Sequence, residues 1–222
     1  MALVVPAEPF AVDRAWSEAM HDLQAPAWKQ LALVFNELGK GLARAVSLVA
    51  VGLALLVARR WVALLAFAAV ESLAPLLSAL LKAGVNRPRP PDAMVSPVGP
   101  SFPSGHAVYG AATAVALVLL YTAPGPRRRF WWALAVLGSA AMAWSRTYLQ
   151  VHWLSDVVAG SLLGAGVALV VFAVMQPHRA TARLAAAART GRRPARPPHE
   201  SGSPPGRTPP PDAAPETGSP PP

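Results

Sequence analysis

The sequence predicts an all-α fold, an integral membrane bundle of about five transmembrane helices preceded by an amphipathic helix. Three observations carry this. Of the 222 residues, 53% are hydrophobic and only 14% charged, a balance shifted from soluble proteins towards membrane ones. The apolar residues gather in five runs, at about 42–58, 61–81, 105–123, 130–149 and 155–176, each close to the roughly 20 residues that a span needs. The runs lack the period-two alternation of a transmembrane β-barrel, which leaves helices.

In chain order, residues 1–25 mix Pro6 and Pro9 with several acids and are assigned no span. Their start lacks both the basic residues and the sustained apolar core of a secretory signal, so the N-terminus is expected to be retained. From Pro26 to Gly39, Trp28, Leu31, Leu33, Val34, Phe35 and Leu38 alternate with Lys29, Gln30, Asn36 and Glu37 at helical spacing. That run is too short and too polar to cross a bilayer and reads as an amphipathic helix at the interface or packed on the bundle. A membrane domain is expected over 26–176. Beyond Pro177 the chain is rich in Arg, Pro, Ser and Gly and cannot bury a core, so 177–222 reads as a disordered tail.

The loops decide orientation. Arg59-Arg60 joins the first two spans, Arg127-Arg128-Arg129 joins the third and fourth, and Arg179, Arg183 and Arg189 follow the fifth. Five alternating crossings put all three basic sites and the tail on one face, which the positive-inside rule makes cytoplasmic. This distribution also explains the formal charge of +9 without nucleic acid as a partner. Residues 82–104 and 145–156 then share the opposite, extracytoplasmic face. In the last span, Gly160, Gly164 and Gly166 predict close helix packing.

With no cysteine, the chain has no disulfide framework, thiolate metal site or cysteine nucleophile. Its chemistry lies in three stretches on the shared face. In the first, Lys82 to Pro90, alternating prolines predict an extended loop that projects Arg87 and Arg89, with Lys82 at the end of the second span. Arginine donates paired hydrogen bonds to phosphate and lysine adds a point charge, although snorkelling to head groups would use the same residues. In the second, Ser101 to His106, Ser104 is placed to cap the third span, and Gly105 opens a helix N-terminus suited to phosphate. In the third, Arg146 precedes His152 and Asp156, which are four residues apart. On a helix they would share a face, and the carboxylate would hold one ring nitrogen and leave the other nucleophilic.

Phosphoryl transfer needs positive charge on the equatorial oxygens, a nucleophile in line and a proton donor for the leaving group. Lys82, Arg89 and Arg146 meet the first need and the two histidines the others. The sequence offers no carboxylate cluster for two metals, so the reading is metal-free, without a cofactor, through a phosphohistidine.

Lys82 followed by six residues and Arg89-Pro90, then Pro103-Ser104-Gly105-His106, then Ser145-Arg146 with five residues before His152 and three more before Asp156, resemble the three signature motifs of the type 2 phosphatidic acid phosphatase family. The resemblance covers roughly 26–176. It implies His152 as nucleophile, Asp156 as its orienting partner and His106 as general acid. It also implies that Lys82, Arg89, Ser104, the Gly105 backbone and Arg146 bind the phosphate of a lipid phosphate or diphosphate. The soluble vanadium haloperoxidases look like distant relatives with the same site. Membrane members usually have six spans, so the first span is expected to be absent or reduced to the helix at 26–39. The alternative reading is a non-enzymatic anion or lipid transporter using the same basic residues. Glu71, Pro75, Ser78 and Lys82 fall on one helix face turned inward, with Glu71 expected to be a structural hydrogen-bond partner.

Overall fold

A computed structural model describes residues 8–175, so the tail expected from residue 177 lies outside the described residues. The described chain is helical: α1 (Ala11–Asp22), α2 (Pro26–Leu38), α3 (Gly41–Val57), α4 (Trp61–Val85), α5 (Gly105–Tyr121), α6 (Pro126–Tyr148) and α7 (Leu154–Met175). Pro26 opens α2 and Pro126 opens α6, at the helical position where the missing N–H costs nothing.

Helix α5 is the centre and packs against α4, α6 and α7. Its approach to α7 is the closest, and glycine permits it. A Cβ on Gly160 would lie 2.7 Å from the Ser104 carbonyl oxygen, and one on Gly164 would lie 2.1 Å from that of Val108. The predicted small-residue packing is therefore real at these two positions. A Cβ on Gly166 would meet nothing within 4 Å, so Gly166 takes no part. Leu55, Phe67, Val70, Val108, Ala168 and Phe172 fill the core where α3, α4, α5 and α7 meet. Leu65, Leu80, Val136, Leu162, Val170 and Val174 point outward and exposed, as lipid-facing side chains do.

The apolar runs are unequal as spans. Helices α4 and α7 are each long and apolar enough to cross a membrane alone. Helix α3 reaches that standard only together with α2, as a pair bent by 55° at Gly39-Lys40. Helix α5 is apolar but has 17 residues. Helix α6 has 23 residues, but Arg127 to Arg129 in its first turn and Ser145-Arg146 in its last shorten the apolar part. The segment 26–39 is thus an amphipathic helix that, only together with α3, reaches the length and hydropathy of a span.

A helix also forms within residues 1–25. Helix α1 has 12 residues, too few to cross, and it packs on α6 and α7. Gln150 fastens it by accepting from the Ser17 hydroxyl (2.5 Å) and donating to the Ser17 carbonyl (2.9 Å). Tyr148 does the same for the start of α2, through the Ala25 N–H at 2.8 Å. At the other end of the bundle, Arg60 donates to the Leu120 carbonyl at 2.8 Å, so the α3–α4 and α5–α6 connections share that end. The C-termini of α4 and α6 and the N-termini of α5 and α7 meet at the end where α1 lies.

Candidate active site

The residues singled out from sequence are joined here by an unbroken series of contacts. Lys82, in the last turn of α4, donates to the Pro100 carbonyl at 2.8 Å. Arg89 reaches the Gly99, Val98 and Pro100 carbonyls at 2.9, 3.0 and 3.2 Å and the Val151 carbonyl at 2.6 Å. Its Nη1 also lies 3.1 Å from His152 Nε2. Arg146, in the last turn of α6, donates to Asn36 Oδ1 at 2.5 Å, and the Asn36 carbonyl accepts from His106 Nε2 at 3.1 Å. Ser104 precedes α5, and its N–H donates to the Asp156 carbonyl at 3.0 Å.

The cations fall into two kinds. Among the described residues, Lys82, Arg89 and Arg146 bond only to neutral groups, carbonyl and amide oxygens and, for Arg89, the His152 ring, and Arg89 is close enough to repel both of the others. Arg87 instead holds two carboxylates, Asp13 and Asp156, each at 2.7 Å, and its side chain is fully buried. Three cations kept together without a carboxylate partner make a local positive field suited to an anion. Among the described residues, the buried polar atoms without a protein partner include the Ser104 hydroxyl, Arg146 Nε and Arg87 Nε. Ser104 occupies the N-cap position of α5, but its hydroxyl makes no capping bond. The first N–H groups of α5, beginning at Gly105, are likewise the ones a helix leaves unpaired.

Two sequence expectations change. Arg87 is not projected beside Arg89, because it turns inward to neutralise two buried carboxylates. His152 and Asp156 do not share a helix face either: α7 begins at Leu154, and His152 stands in the turn before it. Asp156 instead accepts from the Trp153 N–H at 2.9 Å and from the Ser101 hydroxyl. His152 Nδ1 is 3.6 Å from Asp156 Oδ2 and 3.4 Å from Ser101 Oγ, so Ser101 lies between ring and carboxylate. With Arg89 donating to Nε2, the proton belongs on Nδ1, facing Ser101 and Asp156.

Burial pushes the pKa of His152 down to about 3, the nearby Arg89 and Arg146 add to this, and Asp156 opposes it. The ring is therefore neutral, with a lone pair on Nε2.

Sequence reasoning missed Asp13, Asn36, Gly39 and the role of Ser101. Asp13 is fully buried; it accepts from the Ser155 N–H and hydroxyl, both at 2.8 Å, and from Arg87. Burial alone would raise its pKa, but the Ser155 N–H, Arg87 and the Ser155 hydroxyl hold it below the ordinary aspartate range. Gly39 lies against His106, where a Cβ would come within 2.2 Å of the ring.

A cavity of about 380 Å³ opens beside His106, lined by Lys40, Arg44, Glu71, Ser78, Lys82 and Tyr109 among others. Glu71, Pro75, Ser78 and Lys82 all face it, as their shared helix face predicted, and Glu71 accepts from the Thr113 hydroxyl at 2.7 Å. A larger cleft of about 610 Å³ lies between α6 and α7, but no ionisable side chain lines it.

Fold and site together define a helical membrane protein with three cations that lack carboxylate partners and two histidines at one end. The chain belongs to the PAP2 superfamily, whose model matches residues 60–180, more than half of its length. An undecaprenyl-diphosphatase from Sulfolobus acidocaldarius is 38% identical over 74 residues, so the chain spans about a third (33%) of that relative's length and the match covers 33% of this chain. The crystal structure of a transmembrane PAP2 type phosphatidylglycerolphosphate phosphatase from Bacillus subtilis aligns with a TM-score of 0.64 and 27% identity, covering 72% of this chain and 82% of that one. The structure of Aquifex aeolicus LpxE shares the fold, with a TM-score of 0.62, 21% identity, and coverage of 78% and 99%.

Proposed function

We propose that the protein is a membrane lipid phosphatase that hydrolyses a lipid phosphomonoester or diphosphate through a phosphohistidine on His152, without metal. The observation that carries this reading is the grouping of Lys82, Arg89 and Arg146, cations without a carboxylate partner, beside a neutral histidine whose Nε2 lies 3.1 Å from Arg89. A trigonal PO₃ group would replace their carbonyl contacts and take up the Ser104 hydroxyl, Arg146 Nε and the first N–H groups of α5.

In the first step His152 Nε2 bonds to phosphorus while the P–O bond to the leaving oxygen breaks. His106 enters this step as the imidazolium, the form that the incoming phosphate's negative charge favours, and its Nδ1–H goes to that oxygen. The charge that develops on the His152 ring is met by Asp156, directly and through the Ser101 hydroxyl. In the second step water attacks the phosphohistidine, His106 accepts its proton, the P–N bond breaks, and inorganic phosphate leaves with the imidazole restored. The His106 Nε2–H is given to the Asn36 carbonyl, so Nδ1 is the ring nitrogen left for this proton traffic.

The neighbouring chemistry agrees with a metal-free reaction, since cations line the site and the two acids next to it are held by Arg87. The basic connections at Arg59-Arg60 and Arg127 to Arg129 support an extracytoplasmic site and a cytoplasmic tail. Incubating purified protein in detergent with lipid mono- and diphosphates tests the reaction. Phosphate release is expected to persist in a chelator; its loss on chelation, regained with added divalent metal, would contradict the metal-free step.

A further inference from the structure

The cavity beside His106 holds positive charge that the transferred phosphate does not need. Arg44 enters it from the first turn of α3, opposite Lys82 on α4, while Lys40 at its rim is half-exposed and paired with Glu37 at 2.9 Å. Among the described residues the Arg44 guanidinium makes no hydrogen bond; it lies over the Tyr109 ring, 4.6 Å from its centroid. Glu71, the acid in the same cavity, accepts from the Thr113 hydroxyl and lies near enough to feel the Arg44 charge, but makes no ion pair with it. The cavity thus offers an arginine held in place by an aromatic face with its N–H groups unspent.

Its position gives it a role. In an in-line displacement the leaving oxygen departs opposite the nucleophile, on the side of the proton donor. If His152 attacks and His106 protonates, the leaving group emerges into this cavity. A phosphomonoester would release a neutral alcohol there, for which Arg44 has no use. A diphosphate would release a lipid carrying a second phosphate.

Resting on the phosphatase reading above, we propose that this cavity is a leaving-group subsite in which Arg44 binds the lipid-side phosphate of a diphosphate substrate. His152 takes the terminal phosphorus, the bridging P–O bond breaks, and the bridging oxygen stays on the lipid monophosphate, with its proton from His106. Water then releases the terminal group as inorganic phosphate. Net consumption is one lipid diphosphate and one water for one lipid monophosphate and one inorganic phosphate.

The test compares farnesyl diphosphate with farnesyl monophosphate for the wild type, Arg44→Gln and Arg44→Lys. Arg44→Gln is expected to lower kcat/KM on the diphosphate about tenfold or more, the usual cost of a lost charged hydrogen bond, and to leave the monophosphate within about twofold. Arg44→Lys keeps the charge and is expected to retain most of the preference for the diphosphate. Equal losses on both substrates, or no loss on the diphosphate, would overturn the subsite. Should Arg44→Gln fail to fold, the ratio of the two activities in Arg44→Lys decides, and an unchanged monophosphate rate with a small drop on the diphosphate supports the proposal. Retained phosphate release by His152→Ala on either substrate would instead strike the underlying mechanism, whatever Arg44 does.

Discussion

Around His152 each polar neighbour is tied to another, whereas around His106 the protein leaves a cavity of about 380 Å³. On the first side Asp13 holds Arg87, Arg87 holds Asp156, and Ser101 bridges Asp156 and the ring, all buried. On the second side His106 has a single carbonyl partner, on α2, and a glycine that gives way to its ring. His152 is immobilised by the fold, while His106 is positioned by a bend between two helices. Under the proposed mechanism this division keeps one attack geometry and accommodates varied leaving groups. The phosphate is constant among lipid phosphates, and what lies behind it is not.

Breaking the tied side is expected to have the largest effect. Arg87→Met leaves Asp13 and Asp156 buried without their shared cation, and removing one member of such a pair costs about 3–5 kcal/mol. Thermal melting in detergent should show a collapsed or strongly lowered transition, with activity lost alongside. Breaking the open side should separate stability from activity. Gly39→Ala drives a Cβ into the His106 ring. A misplaced proton donor is expected to lower kcat about a hundredfold, with melting little changed because the cavity takes up the displaced ring. A Gly39→Ala enzyme of normal kcat would show that the bend does not position His106.

Asp13→Asn keeps the shape but weakens the hold on Arg87. A drop of about tenfold in kcat is expected, with KM steady, because Asp13 acts through Arg87 and Asp156 and touches no substrate. The smallest effect concerns pH. His152 is neutral in the folded protein, with its pKa pushed down to about 3 against about 6.5 in an unfolded chain. The unfolded chain therefore binds more protons, and this contribution to stability is lost as pH falls from about 6.5 towards 3. An NMR titration of labelled imidazoles should find the His152 ring unprotonated at pH 5, and protonation near pH 6.5 would contradict the burial argument.

This contrast also explains what the sequence revealed. Lys82, Arg89, Ser104, Gly105, His106, Arg146, His152 and Asp156 are legible because each stands at a span boundary, where charge or glycine is conspicuous. The supporting partners are not. Asp13 reaches Ser155 across 142 residues, Asn36 reaches Arg146 across 110, and Ser101 reaches Asp156 across 55. Nothing local marks an acid in a short amphipathic helix as the anchor of a distant arginine. Two prolines misled about Arg87, since an extended backbone sets the direction of the chain and not which carboxylates await the side chain. Counting spans from apolar runs was coarse for a similar reason. Hydropathy reports composition, and the break at Gly39-Lys40 that joins α2 to α3 is a matter of backbone geometry.

The central claim is that His152 carries the phosphoryl group between the two steps. Quenching in alkaline detergent of protein incubated with a terminally ³²P-labelled lipid diphosphate tests it most directly, with the His152→Ala variant run beside the wild type. The wild type should retain label in an acid-labile, base-stable linkage at His152, and the variant should hold no label and release no phosphate. Phosphate release by His152→Ala at the wild-type rate would contradict the account.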